Sequence, residues 1–308
     1  MKNVKILHNP EAGEGETSGR ELVKLITSAG FNCSYSSTKE FRWENIETEH
    51  IDFVVLAGGD GTVRKVAEEL LSRNVIEKKM PLGLLPFGTA NNIARTLGLS
   101  HNAEDTIHTI HAWHAGTRKA FDVGRIEGLP EPSFFLESFG YGLFPKLMAE
   151  MKKQKKNDLE DPKEKMQAAL AMLYDLVLTM PVKECSVQVN DKDYSGEFLL
   201  IEVMNIRSIG PNLVLAPEAD PGDGEFDMVL ITDRQRKHLA DYVRKKIQGH
   251  EIPFDFPILK ATKMKILWDG KHVHVDDEYY KVDEPVIVKI VLREGLLEFL
   301  VPTGDSMK

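Results

Sequence analysis

The first third of the chain alternates short apolar runs with amphipathic stretches. Apolar runs typical of buried parallel strands lie at residues 4–8, 52–57 and 81–86. Helices are predicted over residues 17–29 and 62–73, and again from the turn at Phe87 and Gly88 through Leu97. This alternation predicts an α/β layer with a mostly parallel sheet. Ligands bind such sheets beyond the carboxyl ends of the strands.

After about residue 121 the pattern changes, and strand-like segments dominate. Several of them alternate apolar and polar residues, as half-buried antiparallel strands do. Strands are predicted at residues 134–138, 186–189, 198–203, 226–231, 264–268, 286–292 and 297–301. One long helix begins after Asp161 and carries an apolar stripe from Met166 to Met180. We therefore predict an α/β domain over residues 1–121 and a β-rich domain over residues 122–302, whose last residues can return to the first domain.

Composition and charge exclude several classes of protein. The chain has 308 residues, with 39 Lys+Arg against 48 Asp+Glu and a formal net charge of -9. Broad nucleic-acid binding is disfavoured, because neutralising phosphates needs a basic excess. No apolar run approaches the roughly 20 residues that a membrane-spanning helix requires. The amino terminus lacks an export-signal pattern, and Cys33 and Cys185 are expected as free thiols, so we expect a cytoplasmic protein.

The strongest chemical feature is the run from Gly58 to Thr62, Gly-Gly-Asp-Gly-Thr, between a predicted strand and a predicted helix. Glycines let backbone N–H groups approach a ligand without an obstructing Cβ, and the helix directs its positive end to the same place. An anionic phosphate chain suits this arrangement. Asp60 would repel phosphates unless it meets a metal ion or the reacting hydroxyl. The alternative is a tight turn in which Asp60 acts as a cap.

A second strand–turn–helix segment, residues 84–95, has the same character. It places Gly88, Thr89 and Asn91 at a helix N-terminus, although Thr89 and Asn91 can equally be simple N-caps. Residues 9–13, which begin with Asn9, form a further turn after the first strand. Three turns are therefore predicted to line one edge of the sheet with backbone donors.

The two glycine motifs together resemble the diacylglycerol kinase catalytic-domain family, which includes bacterial lipid kinases and sphingosine kinases. The resemblance continues through residues 215–217 (Leu-Ala-Pro), 223–227 (Asp-Gly-Glu-Phe-Asp) and 276–278 (Asp-Asp-Glu), and covers nearly the whole chain. It implies an N-terminal α/β domain and a C-terminal β-sandwich with inserted helices. It also implies ATP and magnesium in the cleft between the domains, and transfer of the γ-phosphoryl group to a lipid hydroxyl.

Carried over position by position, the resemblance implies a nucleotide site, a metal site and a general base. The residues expected to bind the nucleotide are Asn9, Thr38, Gly58, Gly59, Asp60, Gly61, Thr62, Val63, Arg64, Gly88, Thr89 and Asn91. Asp60 is further expected to hold or relay to magnesium near the phosphates. A structural magnesium site is implied at Asp223, through its carboxylate, with the backbone carbonyls of Asp220 and Glu225.

The resemblance assigns the general base to Glu278, where Asp277 replaces the usual glycine. By spacing alone, Glu278 is equally well explained as a carboxylate on a surface turn. His272 and His274 alternate along the strand before this turn and share one face, which we expect to be solvated.

Two other functions stay open from the sequence. An NAD kinase or a phosphofructokinase-like kinase has the same Gly-Gly-Asp-Gly loop, and Asp277 leaves room for a catalytically silent nucleotide-binding regulator. For the leading hypothesis, a lipid kinase, the acceptor is diacylglycerol-like or sphingoid. The resemblance also implies a homodimer and transient peripheral contact with the inner membrane face. A basic cluster suited to anionic headgroups lies at Lys152, Lys153, Lys155 and Lys156.

Overall fold

The computed structural model describes residues 1–12, 18–40, 50–71, 80–100, 102–153, 161–210, 212–282 and 284–303. The chain divides into two units, residues 1–121 with 294–308, and residues 122–293. Each unit has its own sheet arrangement and its own core.

The first unit is built on a parallel sheet. Its elements are β1 (Asn3–His8), α1 (Gly19–Ser28), β2 (Asn32–Ser37), β3 (Phe53–Gly58), α2 (Asp60–Leu71), β4 (Leu82–Pro86), α3 (Asn92–Thr96) and α4 (Ala103–Ala112). The four strands are parallel and lie in the order β4-β3-β1-β2. Phe299, in the segment that returns to this unit, pairs in parallel with Leu82. Behind the sheet, the rings of Phe31, Phe53 and Trp113 pack edge to face.

Local capping explains where the helices of this unit begin. Ser18 accepts a hydrogen bond from the amide of Glu21, whose carboxylate accepts one from the Ser18 amide, so α1 begins at Gly19. Residue 17, where this helix was predicted to begin, lies outside the described residues. Helix α2 begins at Asp60, two residues before the predicted Thr62. The predicted end of that helix, at residue 73, also lies outside the described residues.

In its described residues, the second unit consists of antiparallel strands with three α-helices. Its elements are β5 (Arg118–Glu127, which begins in the first unit), β6 (Phe134–Phe135), β7 (Ser138–Gly142), α5 (Leu143–Lys153), α6 (Pro162–Thr179), β8 (Lys183–Val189), β9 (Lys192–Asp193), β10 (Gly196–Phe198), β11 (Leu200–Met204), β12 (Ser208–Ile209), β13 (Leu213–Val214), β14 (Phe226–Ile231), α7 (Arg236–Ile247), β15 (Ile258–Ala261), β16 (Lys263–Trp268), β17 (His272–Val275), β18 (Glu278–Lys281) and β19 (Ile287–Leu300).

Two sheets of this unit enclose a common apolar core. One has the strand order β15-β14-β11-β7-β17-β18, and the other contains β10-β8-β16-β19. Buried side chains of both, such as Phe139, Val187 and Ile266, belong to one cluster. Helices α5, α6 and α7 contribute to a second cluster. Helix α6 begins where predicted, because the Asp161 carboxylate accepts a hydrogen bond from the Lys163 amide. The predicted fold class, an α/β domain followed by a β-sandwich with inserted helices, is confirmed.

Several strand predictions are wrong in informative ways. Residues 198–203 are divided between β10 and β11, which lie in different sheets. Residues 134–138 form parts of two strands, β6 and β7, because the amides between them leave the ladder and donate to the carboxylate of Asp276. The segments 286–292 and 297–301 form one strand, β19. Gly295, with a φ of 52°, lets this strand bend without ending. Within the described parts of the chain, we find no helix long and apolar enough to span a membrane.

Candidate functional site

The predicted nucleotide-binding residues lie at the carboxyl edge of the parallel sheet. Because β1 lies between β2 and β3, the connections leave β1 and β3 in opposite directions, and the switch point of the sheet lies between these strands. Asn9 follows β1, and its amide donates to the Ala57 carbonyl at 2.9 Å. Thr38 follows β2, and its amide donates to the His8 carbonyl at 2.9 Å. Residue 13, also assigned to this edge, lies outside the described residues.

The two glycine turns touch each other backbone to backbone. A Cβ on Gly88 would lie 2.5 Å from the Cα of Gly59, and a Cβ on Gly59 would lie 2.9 Å from the Cα of Gly88. Neither approach is open to a residue with a side chain. A Cβ on Gly58 would lie 2.3 Å from the Thr62 Oγ1. The glycines are therefore required by the packing of the loops, whether or not a ligand is bound.

Asn91 supports the second turn from inside. Its Oδ1 accepts from the Gly88 amide at 2.9 Å, and its Nδ2 donates to the Gly88 carbonyl at 2.6 Å. Asn91 has a φ of 52° and makes no side-chain hydrogen bond to the helix that follows, so its interpretation as a simple N-cap is wrong. Thr89 is exposed on the same turn. The side chain of Asn91 thus fixes the loop shape rather than the helix end.

Asp60 joins the two motifs. Its Oδ2 accepts from the Asn92 amide at 2.9 Å and its Oδ1 from the Ile93 amide at 3.1 Å. The carboxylate therefore caps α3, which begins 32 residues later, rather than the turn to which Asp60 itself belongs. Part of the expected backbone cradle serves the turn itself, since the amides of Thr62 and Val63 both donate to the Gly59 carbonyl.

The acidic turn at residues 219–227 belongs to the second unit. Asp220 Oδ1 accepts from the Gly222 amide at 3.1 Å, and Asp223 Oδ1 accepts from the Glu225 amide at 3.0 Å. The Nζ of Lys260 lies 3.4 Å from Asp223 Oδ2 and 3.1 Å from Asp227 Oδ2. Burial, together with the charges of Asp223 and Glu225, raises the pKa of Asp227 despite this ammonium group.

This turn does not fit the magnesium site that the resemblance implies. The one side chain expected as a ligand, Asp223, has one oxygen on an amide and faces Lys260 with the other. The Asp220 carbonyl accepts from the Asp223 amide at 3.2 Å. In the described part of the chain, no three His, Cys, Asp or Glu side chains are grouped so that they could hold a metal ion.

The turn that carries Glu278 is fixed by the residue two positions earlier. The buried carboxylate of Asp276 accepts from the amides of Leu136, Glu137 and Ser138, at 3.0, 2.7 and 3.2 Å. Its own amide donates to the Ser138 carbonyl at 2.8 Å. Glu278 itself is exposed at the start of β18. These bonds hold the exposed carboxylate on a rigid support.

A buried pair lies beneath this turn. His274 and Glu202 are both fully buried, with 2.6 Å between His274 Nε2 and Glu202 Oε1. His274 Nδ1 lies 3.0 Å from the Asp276 carbonyl, which can only accept, so Nδ1 carries a hydrogen. A hydrogen bond between Nε2 and Oε1 then requires one further proton between these two atoms, and His274 and Glu202 share it.

The pKa shifts of the pair agree with a shared proton. Burial opposes the imidazolium form, but the Glu202 carboxylate and Asp276 outweigh it and raise the pKa of His274. Burial also raises the pKa of Glu202. The expected solvated face is therefore wrong for His274, because β17 is an inner strand between β7 and β18. The Nδ1 of the half-buried His272 lies 2.7 Å from the Tyr279 hydroxyl oxygen, and burial and nearby lysines lower the pKa of His272.

Sequence reasoning missed the residues that support the site. Glu202 did give a signal, because it is the one charged residue in the apolar run from Leu199 to Met204. Asp276 lies inside the motif but was overlooked in favour of Glu278. Lys260 gave no signal, since its role depends on the register of β15 against β14.

The described lysines of the basic cluster are engaged with neighbouring side chains. Lys152 Nζ lies 5.3 Å from the centre of the Tyr279 ring, and Lys153 Nζ lies 2.9 Å from Glu150 Oε1. Lys155 and Lys156 lie outside the described residues. The role of this cluster at a membrane stays a prediction.

Comparisons with known proteins agree with both units. Residues 3–126 match the diacylglycerol kinase catalytic domain, and residues 149–291 match the YegS C-terminal NAD kinase beta sandwich-like domain. A protein named diacylglycerol kinase from Bacillus subtilis is 26% identical over 297 residues, covering 91% of this chain and 90% of that protein. The crystal structure of a diacylglycerol kinase from Bacillus anthracis has the same fold, with a TM-score of 0.73, 20% identity, and coverage of 99% and 98% of the two chains. The two domain matches follow each other along most of the sequence, and they confirm the resemblance of this chain to the diacylglycerol kinase catalytic-domain family.

Proposed function

We propose that this protein is an ATP- and magnesium-dependent lipid kinase that transfers the γ-phosphoryl group to the hydroxyl of a diacylglycerol-like or sphingoid lipid. The main support is the pair of interlocked glycine turns at the carboxyl edge of the parallel sheet, the first of them beside the switch point, where Gly59 and Gly88 pack backbone against backbone. The match to the diacylglycerol kinase catalytic domain and the similarity to the Bacillus subtilis protein support the same class, a phosphotransferase.

Phosphoryl transfer needs a cradle for the phosphates, a cation to neutralise their charge, and a base aligned on the attacking hydroxyl. We assign the cradle to the turn at residues 58–61 and the positive end of α2, a helix of 12 residues. Asp60 contributes by holding α3 against this turn through two amides. Magnesium, carried in with ATP, would supply the neutralising charge at the phosphates.

The base in this proposal is Glu278. Its carboxylate is exposed and accepts a hydrogen bond from the Tyr280 hydroxyl, which orients it. Asp276 fixes the backbone of the turn from below. A carboxylate so held can accept the hydroxyl proton as the lipid oxygen attacks phosphorus, a contribution of about 10²–10⁴-fold.

The test is transfer of label from γ-³²P-ATP to extracted lipids, with NAD and sugar phosphates as competing acceptors. We expect labelled lipid, and we expect Glu278→Gln to lower kcat by about 10²–10⁴-fold while ATP binding is unchanged. Asp277→Asn is the matched control, because it removes a neighbouring exposed carboxylate from the same turn and should retain activity.

Three results would contradict the proposal. Labelled NAD or sugar phosphate without labelled lipid would favour the other kinases, and tight ATP binding without transfer to any acceptor would favour a silent regulator. Wild-type turnover by the Glu278→Gln variant would contradict the assignment of Glu278 as the general base. Contact with the membrane surface belongs to the same proposal, since a lipid acceptor has to be reached there, and the homodimer stays a prediction.

A further inference from the structure

The acidic turn at residues 219–227 gathers negative charge around one buried carboxylate. Asp220, Asp223, Glu225 and Asp227 lie within eight residues, and Asp227 is 2% exposed. Like charges this close, with one of them buried, need a cation nearby.

The sheet itself supplies that cation. Strand β15 pairs with β14 so that Lys260 lies directly opposite Asp227. From this position the ammonium group reaches Asp227 Oδ2 at 3.1 Å and Asp223 Oδ2 at 3.4 Å. Because the register of two paired strands sets its backbone position, Lys260 is a built-in part of the turn rather than a surface side chain that happens to be near.

Other protein groups hold the rest of the turn. The Arg207 guanidinium donates through Nε to the Ala219 carbonyl at 3.3 Å. At the other end, the Asp122 carboxylate accepts from the Gly224 amide at 2.9 Å, and the Asp122 amide donates to the Pro221 carbonyl. The carbonyls of Ala219 and Pro221 thus face donors from the chain itself.

We propose that Lys260, assisted by Arg207, takes the place of a metal ion at this turn, so that the turn folds and stays ordered without a divalent cation. This differs from the structural magnesium site that the family resemblance implies at Asp220, Asp223 and Glu225. Magnesium bound with ATP is a separate matter and is unaffected.

The test compares thermal unfolding of the nucleotide-free protein in EDTA and in magnesium chloride. Magnesium bound at the turn would raise the melting midpoint of the wild type but not of the Asp223→Asn variant. A rise that this substitution abolishes is therefore the signal of metal binding at the turn. We expect no such rise in the wild type. Lys260→Met should lower the midpoint in EDTA by about 2–4 °C, and magnesium should restore most of this loss.

Two further variants separate charge from packing. Lys260→Arg keeps a cation and should behave like the wild type in both buffers. Lys263→Met removes an exposed ion pair with Asp191, whose atoms lie 2.6 Å apart, and should show no magnesium response.

A rise of the wild-type midpoint that Asp223→Asn abolishes would overturn the proposal, as would a folded Lys260→Met variant that magnesium does not stabilise. If Lys260→Met fails to fold, the wild type and Lys260→Arg decide the question. Because the readout is unfolding, the outcome is independent of whether the protein phosphorylates a lipid.

Discussion

The buried pair of Glu202 and His274 leads to a quantitative prediction about stability. Replacing one partner should destabilise the protein far more than replacing both. In Glu202→Leu, His274 must either stay charged without a counter-ion or become neutral with its buried Nε2 unpaired. Breaking a buried pair from one side costs about 3–5 kcal/mol, whereas replacement of both partners by apolar groups of similar volume is often neutral. We therefore expect Glu202→Leu to lose about 3–5 kcal/mol, and the double variant Glu202→Leu/His274→Phe much less.

The same pair makes the stability depend on pH, and the sign follows from its pKa shifts. Both pKa values are raised in the folded protein, so the folded pair keeps its shared proton. In the unfolded chain, a histidine with a pKa of about 6.5 has lost its proton above neutral pH. The folded state then binds about one proton more than the unfolded state, and the free energy of unfolding falls as pH rises. The slope should be at most about 1.4 kcal/mol per pH unit above about pH 6.5, until the folded pair releases its proton.

The assay is urea unfolding followed by circular dichroism from pH 6 to pH 9. The wild type should show the slope, and the double variant should lack it. His250→Asn, at an exposed histidine, is the control and should keep the wild-type slope. The reasoning is refuted if Glu202→Leu loses less than about 1 kcal/mol, or if the wild type and the double variant have the same pH dependence.

Two glycine substitutions test the close approaches around the site. Gly88→Ala should weaken ATP binding at least about tenfold in calorimetric titration, because its Cβ would lie 2.5 Å from the Cα of Gly59 and force the turns apart. Gly196→Ala, whose Cβ makes only ordinary contacts, is the control and should bind ATP normally. Equal ATP binding by both variants would contradict the role of the contact between Gly59 and Gly88. Gly140→Ala should lower the free energy of unfolding by about 3 kcal/mol or more, because its Cβ would lie 2.1 Å from the Oε2 of Glu202. In urea unfolding, the double variant Gly140→Ala/Glu202→Ala should lose less than the sum of the two single losses, and simple additivity would count against the clash.

The edge of the parallel sheet could be predicted from sequence because its information is local. Each apolar strand is followed directly by its turn and helix. Once the strands are parallel, Asn9, Gly58 and Gly88 must therefore lie at the same edge of the sheet. The hydrogen bond from the start of α3 to Asp60 could not be predicted, because it spans 32 residues and depends on how two loops pack.

The errors in the second unit have a common physical origin. The break after Phe135 is set by Asp276, which lies about 140 residues further along and draws three amides out of the ladder. Alternation along β17 correctly placed His272 and His274 on one face. Whether that face meets water, however, depends on the neighbouring strands and on Phe144, whose ring packs against His274. Such partners cannot be inferred from a period of two residues.

The carboxylates of the motifs differ in what they contact, and this divides their tasks. Asp60 and Asp276 each bind backbone amides of a distant segment, so their primary effect is to hold loops in place. Asp223 faces a lysine. Glu278 is different, because its carboxylate is exposed and accepts a hydrogen bond from a hydroxyl on its own strand. A proton acceptor must exchange with solvent and reach a substrate, while a carboxylate that accepts two or three amides is stabilised as the anion and is a weak base. This difference in hydrogen bonding is therefore the reason to assign proton transfer to Glu278 rather than to Asp276, two residues earlier.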